Sequence, residues 1–423
     1  MRYPLGPPVA AGHGASGVAL NMNLSGTFAQ AVGLVLLVLQ LPLLLLLLAR
    51  LAPGRTRRAP IAPRLTPRTD TTVSVIVATL NEASRIGPCL DGLMAQLDPL
   101  CEVLVVDSRS TDGTQALVEA ASARDPRIRL ITDDPLPDGW VGKVWALDTG
   151  LRHARGEWVL GIDADTVPAP GLIGAVIDAV EQDGYDVASF SPQFRDQTSA
   201  ERVVQPAMLV TLVYRCGAAG ATQPPPDRVL ANGQCFVARR SLLQQHGGYA
   251  PARASFCDDV TLARHLAAHG ARVGFLDGSR IIQVSAYVSL AQMWREWGRS
   301  FDLKDATPMW RRWLDVALVW GMQAVPLPLF IGLLSLWVSA TPIGAVPHQP
   351  LVQALLLVNG VALLVRLMML TALRGSYAVR GWPFWLSFLS DIAAAWRLTL
   401  STARTPTRWR GRQYDTLITD GAR

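Results

Sequence analysis

A run of nineteen residues, Ala31 to Ala49, carries no charge and is interrupted only by Gln40 and Pro42. As an α-helix it is long enough to cross about 30 Å of hydrocarbon, so this segment is expected to span a membrane rather than to sit as a buried helix in a globular core. Half of all residues are apolar and 17% are charged, which fits a chain with a membrane component. Residues 1–30 hold one charge, Arg2, whereas Arg50, Arg55, Arg57, Arg58, Arg64 and Arg68 follow the run. That order is wrong for a cleaved secretory signal, and by the positive-inside bias it puts the domain that follows in the cytoplasm. The expected division is a non-cytoplasmic tail over 1–30, an anchor over 31–51, and a linker over 52–70 stiffened by Pro53, Pro60, Pro63 and Pro67.

The net charge of +6 comes from Arg clusters beside apolar stretches, not from a basic stripe interleaved with aromatics. Membrane headgroups are therefore the expected anionic neighbours, and nucleic acid is not. Cys89, Cys101, Cys216, Cys235 and Cys257 show no CxxC or Cys/His ligand spacing, so neither a disulfide framework nor a zinc site is expected from them. A reducing compartment fits.

From residue 71 to 309 short β-branched runs alternate with helix-length amphipathic stretches. Val73 to Thr79, Val103 to Asp107, Ile128 to Ile131 and Trp158 to Ile162 read as strands; Ile86 to Leu97, Asp112 to Ala123 and Lys143 to Ala154 read as helices. Such alternation predicts an α/β fold, a mostly parallel sheet with helices on both faces that binds ligands beyond the carboxyl ends of its strands. Those ends are polar. Asn81 and Glu82 follow the first strand, Asp107 ends the second, and Asp163 with Asp165 ends the fourth. Asp163 and Asp165 flank a single residue, so on extended backbone both carboxylates can face one side and share a hard divalent cation.

The segment Val73 to Asp165 resembles the family 2 glycosyltransferases of the GT-A, Rossmann-like fold, through VSVIVATLNEA, VLVVDSRSTDGT and GEWVLGIDADT in that order. Within the family, DGWVGKVWAL (Asp138 to Leu147) is similar to the subgroup acting on carotenoids and hopanoid-associated lipids. The resemblance implies that Thr79, Asn81, Glu82 and Asp107 hold the donor nucleotide, and that Asp163 and Asp165 position the sugar donor and bind Mg²⁺ or Mn²⁺. It also implies an acidic pair, here Asp258 and Asp259, whose second member takes the proton of an acceptor hydroxyl. The family usually has Glu-Asp there, so the shorter Asp258 leaves its supporting role open; capping of the following helix is the plain alternative. Lys143, after Gly142 at a helix start, is the candidate to meet the diphosphate, beside the plainer reading of a solvated lysine at a helix start.

Gln234 opens the strand-like run CFVAR and is a further candidate donor or acceptor contact, beside the simpler reading of a turn former. Gln292, Arg295 and Trp297 form Q-x-x-R-x-W, one residue longer than the QxxRW of processive members; Arg295 is the candidate for the diphosphate, while Trp294 and Trp297 also suit a helix on the membrane surface. Beyond residue 310, Leu314 to Ala340 and Leu351 to Leu373 are each long enough to span as a hairpin, with Arg366 snorkelling or facing protein. Trp382 to Leu400 carries Asp391 and Arg397 and precedes the basic tail 404–423, so it is expected to lie on the surface or re-enter.

Together these readings describe a multi-pass protein of the cell (inner) membrane with a cytoplasmic catalytic domain. It moves a sugar from a nucleotide-diphosphate donor to a lipid-like acceptor at the bilayer. A polyprenyl-phosphate sugar synthase and a noncatalytic membrane scaffold are the rival readings.

Overall fold

Alternating β-branched residues create strands that bury one side chain up and the next down. In β1 (Val73–Thr79), Val73, Val75 and Val77 enter one core while Ile76 enters the other. The computed structural model describes residues 15–195, 198–221, 225–285, 287, 289–304, 306–340, 349–404, 408–409 and 412–413. Of the expected tail over 1–30, residues 1–14 lie outside the described residues and 15–30 are the first turns of the same helix as the anchor; the loop 341–348 and most of the basic tail beyond 404 also lie outside the described residues.

Along the chain β1 is preceded by α1 (Ala15–Leu51) and followed by α2 (Ile86–Met94), β2 (Leu100–Asp107), α3 (Thr114–Arg124), β3 (Ile128–Thr132), α4 (Gly142–His153) and β4 (Trp158–Asp163). Next come β5 (Thr166–Pro168), α5 (Leu172–Asp183), β6 (Val187–Ser191), β7 (Gln193–Arg195), α6 (Ser199–Cys216), β8 (Cys235–Arg239), α7 (Arg240–Gln245), α8 (Asp258–Ala268), β9 (Val273–Asp277) and β10 (Ile282–Ser285). The main sheet has the order β3-β2-β1-β4-β8-β6-β9. It is parallel except at β8, which runs antiparallel to both β4 and β6. A small sheet, β5-β10-β7, stands beside it. Helices α2, α3 and α5 cover one face through Leu90, Val118 and Val176; α4 and α8 cover the other through Val144 and Leu266. The mostly parallel α/β sheet predicted from the alternation is the observed one.

The contact between α4 and β1 is close enough to require a glycine. A Cβ on Gly150 would lie 2.4 Å from Cγ2 of Ile76, a buried β-branched side chain with little room to turn. Gly150→Ala is expected to destabilise the domain by roughly 1–3 kcal/mol as an overpacked core, read as a lowered unfolding midpoint of the full chain in detergent.

Segment 57–68 lies along the domain. Its amides from Arg58, Ile61 and Arg64 donate to carbonyls of Gly220, Asp277 and Gly171, while Arg58, Arg64 and Arg68 pair with Asp183, Asp178 and Glu181 on α5. Three of the arginines expected to face headgroups therefore neutralise an acidic helix of the same chain.

A third core joins α1, α6 and the C-terminal helices α9 (Leu290–Ser300), α10 (Met309–Val319), α11 (Pro326–Ala340), α12 (Gln349–Leu373), α13 (Gly381–Trp385) and α14 (Asp391–Ala403). Residues 28–56 and 350–376 form two helices long and apolar enough to cross a membrane. The expected span Leu314 to Ala340 is bent by 45° between α10 and α11, at a π turn over Trp320–Ala324. There Gln323 turns inward and bonds Thr211, the carbonyl of Ala207 and Asp391. α14 has 13 residues, about 20 Å of helix, which is too short to cross. Gln40 of α1 and Asn359 of α12 exchange two amide hydrogen bonds of 3.0 Å, both side chains buried. Arg366 faces protein, 1% exposed, with a forked contact to Asp391 at 2.8–3.0 Å.

Candidate active site

The sheet register sets the carboxyl ends of the central strands level, with Thr79 opposite Asp107 and Ala78 opposite Asp163. A cavity of about 590 Å³ opens beyond them. Of the residues expected at the site, Thr79, Asn81, Glu82, Lys143, Asp163, Asp165, Gln234, Asp258 and Asp259 line it; Asp107 and Arg295 do not.

Asp107 is fully buried and occupied locally. Its carboxylate accepts hydrogen bonds from the amide and hydroxyl of Ser110, from Gln115 and from Thr79, which fixes the turn after β2. The neighbouring Ser108 reaches the cavity instead. Asn81 adopts a left-handed φ of 57° and its side-chain oxygen accepts from the Thr111 amide, stitching the first two strand-end loops together. Glu82 is buried and pairs with Arg85 at 2.8 Å.

Lys143 begins α4 and reaches across the sheet end to Asp163 at 2.6 Å. Burial opposes its charge, but Asp163, Asp258 and Asp259 outweigh that and raise its pKa above the ordinary lysine value. Gly233 keeps the space between them open, since a Cβ there would come within 3.1 Å of Lys143 Nζ. Asp165 has one oxygen 3.4 Å from Arg85, while its buried Oδ1 has no hydrogen-bond partner. Burial, then the nearby Asp163, pushes the Asp165 carboxyl up to about 6.

Asp258 and Asp259 open α8 on the opposite wall. The amides of Gly233 and Val260 donate to Asp259 at 2.6 and 2.8 Å, fixing its carboxylate. Burial and then the charge of Asp258 push the Asp259 carboxyl up to about 7; burial likewise raises Asp258. Cys257, not either aspartate, holds the N-cap position of α8, and the pair lies in the first helical turn, where the helix dipole favours negative charge. Asn232 and Gln234 bond each other through side chain and backbone, holding the Gly233 turn under Asp259.

Four carboxylates, those of Asp163, Asp165, Asp258 and Asp259, converge here against Lys143 and Arg85. Raised carboxyl values and an unpartnered Asp165 oxygen mark a site short of positive charge. Hard oxygen donors with that deficit fit Mg²⁺ or Mn²⁺, with Asp163 and Asp165 as the residues that would hold it.

On α9, Gln292, Glu296 and Arg299 face the cavity at i, i+4 and i+7, together with the buried Trp297. Arg299 pairs with Glu296, and burial lowers its pKa to about 10. Arg299, which lies outside the Q-x-x-R-x-W motif, lines the cavity, whereas Arg295 does not. Arg85 escaped notice as well, although it stands four residues after Asn81. Trp297 packs inward rather than on a membrane surface, and Trp294 lies under the guanidinium of Arg397. Beyond this polar centre the cavity continues between Phe194, Leu209, Val213 and Val284, ending at Leu373 of α12.

Comparison with known proteins gives the family of the domain. Residues 74–247 match the model described as glycosyl transferase family 2. The succinoglycan biosynthesis protein ExoO of Rhizobium meliloti is 34% identical over 27% of this chain and 32% of its own length. An undecaprenyl-phosphate 4-deoxy-4-formamido-L-arabinose transferase of Edwardsiella ictaluri is 29% identical over 30% of this chain and 38% of its own. The chain thus spans about a third of the length of these curated relatives. Among solved structures, the mannosyltransferase PcManGT of Pyrobaculum calidifontis, in complex with GDP-Man and Mn²⁺, aligns over 88% of this chain and 97% of its own, with a TM-score of 0.50 and 21% identity. Strand order, crevice, aligned fold and family match agree: residues 74–247 form a glycosyl transferase family 2 domain of the GT-A fold.

Proposed function

We propose that the chain is a membrane-bound, inverting glycosyltransferase that moves a hexose from a nucleotide-diphosphate sugar to a hydroxyl of a lipid-like acceptor. A carotenoid, hopanoid or glycerolipid is the acceptor class, and the chemistry is on the cytoplasmic side. The observation that carries this reading is one cavity with the buried Asp258 and half-buried Asp259 on one wall, Lys143, Asp163 and Asp165 on the other, and an apolar arm running to α12.

Thr79, Asn81, Glu82 and Ser108 line the part of the cavity where a nucleoside would lie, Glu82 held there by Arg85. Lys143 and Arg299 supply positive charge for the diphosphate. A divalent cation held by Asp163 and Asp165 would neutralise charge on the departing nucleotide. Asp259 accepts the acceptor hydroxyl proton. The acceptor oxygen forms its bond to the anomeric carbon from the face opposite the nucleotide, the bond to the diphosphate breaks, and the configuration inverts. Asp258 keeps the Asp259 carboxyl basic through its charge.

A second reading, transfer to a polyprenyl phosphate, is favoured by Arg57 and Arg195, which line the same cavity. A phosphate acceptor is already anionic and needs no base, so dependence on Asp259 separates the two.

The test is to incubate the purified full-length protein with UDP- and GDP-sugars and a total lipid extract, and to identify the glycosylated product by mass spectrometry. Sugar is expected on an alcohol, with release of nucleoside diphosphate that falls to the no-enzyme background on chelation and returns with Mg²⁺ or Mn²⁺. Donor release with no metal requirement would remove the proposed role of Asp163 and Asp165, and absence of any transfer would leave a scaffold.

A further inference from the structure

Three of the six histidines, His246, His265 and His269, meet at the end of α8 away from Asp258 and Asp259. His265 and His269 are four residues apart and so share one face of the helix end. His246 caps α7, and the two left-handed glycines that follow it, Gly247 and Gly248, turn the chain back. The ring centroids lie 4.3, 5.1 and 6.3 Å apart, and one ligand nitrogen from each ring falls within 4.8 Å of the others.

His269 is also oriented as a ligand is. Its Nδ1 lies 2.8 Å from the carbonyl oxygen of His265. A carbonyl only accepts, so the proton sits on Nδ1 and the lone pair on Nε2 points outward, the arrangement that backbone carbonyls impose on metal-bound imidazoles. Two rings are half-buried and the third is exposed, leaving room for solvent as a further ligand.

We propose that His246, His265 and His269 form a binding site for a tetrahedral transition-metal ion such as Zn²⁺, completed by water and separate from the carboxylate cavity. Nitrogen–metal bonds of about 2.0–2.1 Å require the three nitrogens to close to roughly 3.4 Å, within reach of side-chain rotation from their present spacing. Three imidazoles select zinc, copper or nickel, whereas carboxylates at the strand ends select harder cations. The ion would clamp the end of α7 to the end of α8. It would thereby stiffen the helix whose first residues form the acidic pair.

Co²⁺ titration of the chelator-treated full-length protein in detergent tests this, because tetrahedral Co²⁺ absorbs visible light far more strongly than octahedral Co²⁺ held by carboxylates and water. One equivalent of the tetrahedral signal is expected, displaced by Zn²⁺, with a thermal midpoint raised by Zn²⁺. His265→Gln and His246→Gln should each weaken binding by more than the roughly 10–100-fold that loss of an outer partner costs. His153→Gln should leave it intact. Absence of the tetrahedral signal, or its survival in both the His246 and His265 variants, overturns the site.

Discussion

Replacing Asp259 with Asn is expected to lower the transfer rate by about 10² to 10⁴, the contribution of one positioned general base, while leaving the KM for the sugar donor near its original value. Asparagine keeps the hydrogen bond from the Gly233 amide through its own oxygen but cannot take a proton. The pH profile supplies a second readout. Burial and Asp258 raise the Asp259 carboxyl to about 7, so the group is protonated and inactive below that pH and basic above it. kcat/KM of the unsubstituted protein should therefore climb about tenfold per pH unit up to neutrality and then level, a limb absent from the variant. Stability runs the other way. A folded value raised above the unfolded one near 3.9 makes a stabilising contribution that is complete below about pH 4 and lost as pH rises through 7. Full transfer by Asp259→Asn would reject the base and favour an acceptor that arrives already ionised.

Arg366→Leu is expected to cost about 3–5 kcal/mol of stability, because it leaves Asp391 buried without its cation. Both side chains are nearly inaccessible, and among the described residues Asp391 is held besides by Gln323 at 2.9 Å. Unfolding in graded denaturing detergent would measure the loss. The Arg366→Leu, Asp391→Leu double substitution should recover most of it, since a buried ion pair replaced as a unit by apolar groups is often near neutral. A double variant as unstable as the single one would mean that the arginine acts through packing or through Ser387, to which it also donates at 3.2 Å.

Much of the domain was legible in the sequence because strand ends announce themselves. A β-branched run that stops at Asp, Asn or Glu marks the carboxyl edge of a sheet, and Asn81, Glu82, Asp163 and Asp165 all line the cavity for that reason. The helix-start pattern places Lys143 and the Asp258–Asp259 pair at the heads of their helices, but it is the family resemblance that singles the acidic pair out from a cap. Asp107 shows the limit: its place at the strand end was clear, but its four local hydrogen bonds depend on how the Ser110 turn closes, which spacing does not encode. Arg299 was missed because a motif pointed to Arg295, whereas the helix phase set by packing of α9 on α14 decides which cation faces inward; there Ser401 donates to the Gly298 carbonyl and Arg397 to that of Trp294. The antiparallel entry of β8 was not legible either. Its apolar run CFVAR reads the same in both directions, and only the tertiary path fixes its sense.

The reciprocal amide pair of Gln40 and Asn359 has a consequence for biosynthesis. The two side chains are 319 positions apart, so on the ribosome α1 is complete long before its hydrogen-bonding partner is translated. Until then the Gln40 amide lacks its Asn359 partner inside the charge-free run 31–49, and residues 74–247 are made in the interval. Docking of α12 is thus a late closing step. A nascent chain that stops short of it is marked by an unfilled polar position, a natural handle for quality control.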